Sequence, residues 1–214
     1  MFPISSVVEF VMKIMEIFYK YKSVQDLKRF LELVYSQKLY APRLEELNDA
    51  KEGAYHYPKG SSVDERKEFR RLLDNTYTCS LSKLKNNGHM FAIYGDSHKG
   101  CCIELAVTAN SWETVNVTYQ SQMPTISTVS KKSISEVIKI KSPQWGDEEE
   151  VRYYKTLPDN KQKQYLAVKI LRIMFGVKVS KKDFSLYKSA IYGINPNIEV
   201  IHLTEKDIDF GFDK

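Results

Sequence analysis

Period-two alternation in the later part of the chain restricts the fold more than any other feature. TYTCSLS at 76–82, GCCIELAV at 100–107, VNVTY at 115–119, EVIKIK at 136–141 and IEVIHL at 198–203 all read as strands rich in β-branched and apolar residues. Successive side chains of an extended strand point to opposite faces, so each run can bury one face against a core. EEVRYY at 149–154 reads the same way, although its charge also fits a helix. Residues 164–175 fit both patterns: Leu166, Val168 and Ile170 alternate, whereas Leu166, Ile170 and Ile173 follow helical spacing.

Helical periodicity dominates the start. Val7, Val8, Val11, Ile14, Met15 and Phe18 share one helical face, and Ser6 with Glu9 has capping-box spacing. Residues 1–18 are therefore expected to form an amphipathic N-terminal helix, packed on the body or on a partner. A short strand at 19–21 follows. Ser23 then caps a helix with Leu27, Phe30, Leu31 and Val34 on one face. Lys38–Ala41 is extended up to Pro42, residues 43–63 are loop, and 64–74 form a charged helix. Ser180 and Asp183 start a late helix running to about residue 192. Early helices and later strands, with no repeat and no linker, give a single α+β domain over 1–214. Its core is a mixed, mostly antiparallel central sheet with N-terminal helices and one late helix. A length of 214 residues suits one such core.

Composition narrows the function classes. The net charge of +5 comes from 32 basic and 27 acidic residues spread along the chain, so nucleic-acid contact is possible but not implied. Lys131–Lys132 and Lys181–Lys182 read as solvated faces. Cys79, Cys101 and Cys102 are odd in number and lack C-x-x-C spacing, which fits buried thiols in a reducing compartment. Glu9, Lys13 and Glu16 interrupt the first apolar run, which therefore differs from a signal peptide, and no stretch reaches membrane-spanning length. A cytoplasmic location is expected. His56, His89, His98 and His202 are scattered without metal-ligand spacing, so no metal site is expected. Gly-rich phosphate loops and the G-x-S-x-G motif are absent.

Three stretches carry chemistry. PQWGDEEEVRYYK at 143–155 spaces Trp145, Glu148, Glu150 and Arg152 as W-x-x-E-x-E-x-R. On a strand the two carboxylates and the guanidinium would share one face. HMFAIYGDSHKG at 89–100 gathers Tyr94, Asp96, His98 and Lys99 just before Gly100, and Gly95 and Gly100 would permit a sharp turn before a strand. LNDAKEG at 47–53 packs Asn48, Asp49 and Glu52 into a short loop, as caps or as residues orienting another polar group.

Together with Tyr19-Lys20-Tyr21, LYAP and TCSLS, these motifs resemble the bacterial domain-of-unknown-function family 2971 over most of residues 19–180. Members tend to show an N-D-P-F-E loop, an M-W-x-x-Y-x-x-x-H-K-G segment and a late W-x-x-E-x-E-x-R. Here the loop reads Asn48-Asp49-Ala50-Lys51-Glu52, and Phe91 stands where tryptophan is usual. The family implies a fold and no activity. The order of Tyr19-Lys20-Tyr21, Ser80-Leu81-Ser82 and Glu148-Glu149-Glu150 is also similar to that of arginine-specific toxin-type ADP-ribosyltransferases. That likeness implies NAD as substrate, with Glu148, Glu150 and Ser80 catalytic. One carboxylate would stabilise an oxocarbenium-like ribose and the second would activate the acceptor, with Ser80 positioning ribose or glutamate. Tyr21 or Tyr94 would stack on nicotinamide and Lys20 would meet the pyrophosphate. Asn48, Asp49, His98, Lys99 and Arg152 complete the expected binding set. The implied setting is toxin action or phage defence. The competing reading is a non-catalytic binding module for a protein or nucleotide partner, using the 94–100 loop and the acid–base face. A nucleic-acid regulator would instead need lysines 131, 132, 139 and 141 on one face.

Overall fold

A computed structural model describes residues 16–47, 52–157 and 162–211. Its strands are β1 (Ile17–Lys22), β2 (Lys38–Ala41), β3 (Thr76–Ser82), β4 (Cys101–Val107), β5 (Glu113–Asn116), β6 (Thr118–Tyr119), β7 (Ile140–Lys141), β8 (Glu150–Thr156), β9 (Gln164–Phe175) and β10 (Glu199–His202). Eight form one sheet in the order β10-β9-β4-β1-β3-β8-β5, with β2 paired to the start of β9. All its pairings are antiparallel except β10 with β9. The α+β class expected from the sequence is observed.

Among the described residues five α-helices flank the sheet: α1 (Leu27–Ser36), α2 (Val63–Asp74), α3 (Gly88–Ile93), α4 (Ile134–Ile138) and α5 (Lys181–Ile194). The largest core joins Phe30, Leu33 and Val34 of α1 and Ile191 of α5 to Phe18, Cys79, Leu81, Ile103, Leu105, Val151, Ile170 and Phe175 of the sheet. Fully burying one such side chain stabilises the fold by roughly 1.5–3 kcal/mol. The alternate residues of the same strands meet two smaller cores. One joins Tyr21, Cys102 and Met174 to α3, and the other joins Tyr154 to α2 and α4. Ser62 caps α2 and Ser180 caps α5, each accepting a backbone N–H three residues on.

The pairing of β1 with β3 is the sheet's weak seam. A single Cα pair, Tyr19 with Ser82, joins them, whereas β1 pairs with β4 over six residues. Beyond that pair the strands part, and the Lys20 ammonium donates across the gap to the Ser80 carbonyl at 2.8 Å.

Several sequence expectations change. Ile17 and Phe18 belong to β1, and Phe18 is buried in the main core, so the helix expected over 1–18 does not reach its last two residues. Residues 1–15 lie outside the described residues. The first described helix is capped by Asp26 rather than Ser23. The expected strand at 115–119 breaks at Val117, whose N–H still donates to the Glu150 carbonyl of β8, and the next two residues pair with β7 as β6. The first half of EVIKIK is helical, because Ile134, Val137 and Ile138 bury a helical stripe against α2, and only the last two residues extend. Residues 164–175 are a strand long enough to pair with β2, β4 and β10.

The 88–100 segment is a short helix followed by a left-handed turn. Positive φ falls on Asp96, Ser97 and His98 rather than on the glycines. Gly100 is needed for close approach, since a Cβ there would lie 2.3 Å from the Lys22 carbonyl.

Candidate functional site

On the sheet face between the two smaller cores lies a cavity of about 390 Å³. Strand register builds its floor. Ser80 lies opposite Arg152, Ser82 opposite Glu150, and Ser82 opposite Tyr19, so β1, β3 and β8 present these side chains to one face. Tyr94 follows α3, Lys141 ends β7, and Trp145 and Glu148 come from the turn Pro143–Glu148. Glu149 takes a left-handed conformation, which resets the chain so that Glu148 and Glu150 point the same way.

A buried ion cluster forms the acidic end. Lys141 Nζ lies 2.6 Å from Glu148 Oε2, 2.9 Å from Glu150 Oε2 and 3.6 Å from Glu52 Oε1. Arg152 Nε donates to Glu150 Oε1 at 2.6 Å, Nη2 to Glu52 Oε1 at 2.6 Å, and Nη1 to the Ile138 carbonyl at 2.7 Å. Tyr94 Oη donates to the free Glu148 oxygen at 2.7 Å. Tyr119 Oη receives the Glu150 N–H, and Ser82 Oγ donates to the Glu148 carbonyl. Arg152 is fully buried and sits behind Glu150 rather than on the cavity wall.

These contacts separate the carboxyls. Burial pushes Glu150 up, but Arg152 and then Lys141 outweigh it and hold the group at about 2. Burial dominates at Glu52, where Arg152 and Lys141 compensate only partly and Glu150 repels, so its pKa is raised. For Lys141, burial is outweighed by Glu150 and Glu148, and its pKa is raised. The Tyr94 phenol is raised by burial and by the Glu148 carboxylate it bonds. Three carboxylates face two cations in this cluster, which leaves one surplus negative charge.

The rest of the wall is aromatic and basic. Tyr19, Tyr21, Tyr94 and Trp145 line it, and Lys20 and Lys22 stand toward the seam. Trp145 stacks with the Lys141 ammonium at 5.1 Å, and its buried indole N–H has no acceptor among the described residues.

Of the expected residues, Lys20, Tyr21, Ser80, Tyr94, Glu148 and Glu150 line this one cavity. The Tyr21 hydroxyl is already committed, donating to the Leu84 carbonyl and accepting from Asn87 N–H, and its ring meets Phe91 edge-on. Tyr94 and Tyr19 are less buried and leave more ring surface to the cavity. His98 and Lys99 are not brought to it: the imidazole stacks on Phe91 at 5.8 Å, and Lys99 is exposed. Asn48 and Asp49 lie outside the described residues, whereas Glu52 of the same loop is in the cluster. Lys141 was not expected in the site, and Glu52 was expected only as a cap or as a residue orienting another polar group. The lysine sits in a run whose alternation read as an ordinary strand, and Glu52 in a loop rich in capping residues.

Among the described residues no helix is long and apolar enough to cross a membrane. Comparison with known proteins returned no matching family model, no matching curated protein and no matching solved structure.

Proposed function

We propose that the cavity binds NAD and that the chain cleaves its nicotinamide–ribose bond, by hydrolysis or by transfer of ADP-ribose to a target. The observation carrying this reading is the convergence of Lys20, Ser80, Tyr94, Glu148 and Glu150, from distant parts of the chain, on one cavity. The cavity is also bipolar. Its surplus carboxylate charge and aromatic walls suit a cationic pyridinium ring, and Lys20 and Lys22 suit the pyrophosphate. The order of motifs that resembles toxin-type ADP-ribosyltransferases supports the same reading. A cytoplasmic toxin or phage-defence setting belongs to this proposal.

In the reaction the C–N electron pair leaves with nicotinamide, which departs neutral, and positive charge develops at the ribose carbon. Glu150, held ionised, supplies fixed negative charge beside it. A carboxyl at about 2 is a weak base, so accepting the proton of water or of the acceptor falls to Glu148. Tyr94 and Lys141 fix the orientation of Glu148.

Incubation with NAD and chromatographic measurement of nicotinamide tests the proposal. Wild type should release nicotinamide and Glu148→Gln should not, with the variant still folded by circular dichroism. Equal release by both proteins rejects the role of Glu148. Absence of both release and NAD binding rejects the reading as a whole. A non-catalytic binding module is the second reading. It is favoured by the way Lys141 already clamps Glu148 and Glu150. NAD binding without nicotinamide release would identify it.

A further inference from the structure

A second hollow of about 890 Å³ opens on the α1 side of the seam, between α1, β1 and β2 and the start of β9. It shares the lining residues Lys20 and Lys22 of β1 with the cavity described above, so the two hollows adjoin at the seam. Six basic side chains line it against two acidic ones, a surplus of four in a chain whose net charge is +5. Lys28, Arg29, Lys38 and Lys163 are exposed along it. The acidic residues do little to cancel them: Asp26 is the α1 cap, and Glu32 faces Lys28 at 4.0 Å with both side chains in solvent.

Aromatic rings are interleaved with these charges. Tyr35 is 80% exposed and Tyr165 47% exposed. Tyr40 sits between them in register with Tyr165, its ring 5.9 Å away, and Arg29 lies over it at 6.0 Å. An isolated exposed tyrosine needs no explanation, but basic groups and open rings lining the same groove match the requirements of a flexible polyanion with flat bases. A duplex hides the faces of its bases, so only a single strand can use both features.

We infer that this groove binds single-stranded nucleic acid and leads it to the seam. There the strand meets the cavity at Lys20 and Lys22. The inference goes beyond the NAD reading and does not rest on it, because strand binding is measured with no dinucleotide present.

The test is fluorescence anisotropy of a short labelled oligothymidine with the full chain, at salt between about 50 and 200 mM. Saturable binding is expected, with log affinity falling against log salt at a slope of about −2 to −3, as for three or four phosphate contacts. The double variant Arg29→Glu, Lys38→Glu should lose at least about tenfold in affinity and flatten the slope. Tyr35→Ala and Tyr165→Ala should each lose roughly tenfold while keeping the slope. All four residues lie outside the NAD cavity, so nicotinamide release without acceptor should be unchanged in these variants. Absence of binding at the lowest salt overturns the inference. So does binding that survives the charge reversal, or tyrosine variants that bind as tightly as wild type, which would mark a site for any polyanion.

Discussion

Replacing Arg152 with methionine tests whether the ion cluster holds the site together. The guanidinium is fully buried and satisfies two carboxylates and the Ile138 carbonyl. Methionine keeps most of the volume and removes the charge, leaving Lys141 alone among three buried carboxylates. Breaking a buried ion pair by deleting one partner costs about 3–5 kcal/mol. A second route gives a similar figure. Holding Glu150 at about 2 against an ordinary 4.5 corresponds to ~3 kcal/mol, with Arg152 the larger of its two counterions. Because the folded pKa is depressed, this stability is present above the ordinary value and is lost as pH falls through about 2. In the variant, burial acts on Glu150 and Glu52 with less opposition, so both carboxyls take up protons at higher pH. The deficit relative to wild type should therefore be ~3–5 kcal/mol near neutral pH and clearly smaller near about pH 4. Urea unfolding followed by tryptophan fluorescence measures it at both. A deficit below ~1 kcal/mol at neutral pH, or one of equal size at both pH values, would refute the reasoning.

Other outcomes follow from single contacts. Tyr94→Phe removes the 2.7 Å bond to Glu148 and should cost about 1 kcal/mol in unfolding free energy, while NAD affinity or turnover falls by roughly tenfold. His98→Ala should lower stability by roughly 1 kcal/mol through the lost stacking on Phe91, with NAD binding by calorimetry unchanged. Gly100→Ala places a methyl group 2.3 Å from the Lys22 carbonyl, so chemical denaturation should register a loss of about 1–3 kcal/mol or more. Trp145→Phe keeps a ring over Lys141 but removes the unpartnered N–H, and should weaken NAD binding more than it lowers the melting temperature.

The strands of the sheet were legible because a run of β-branched and apolar residues is a local property, and β3, β4, β8 and β10 fall where those runs lie, although β3, β4 and β8 are buried on both faces. Alternation misled where burial was set by a neighbour. Val137 and Ile138 read as part of a strand until α2 supplies the surface that joins them with Ile134 in a helical stripe. The site was legible in its anions and obscure in its cations. Two glutamates two residues apart stand out in any sequence, but nothing local marks Lys141 as the lysine that would be drawn between them. Nor does the sequence distinguish Arg152, buried as a support, from an arginine displayed to a ligand. The same limit applies to His98, whose motif suggested binding and whose ring is spent on packing. The reason is the same in each case: a side chain's partners are set by the fold, as where three carboxylates from distant positions converge on Lys141 and Arg152 and burial still raises Glu52 despite both cations.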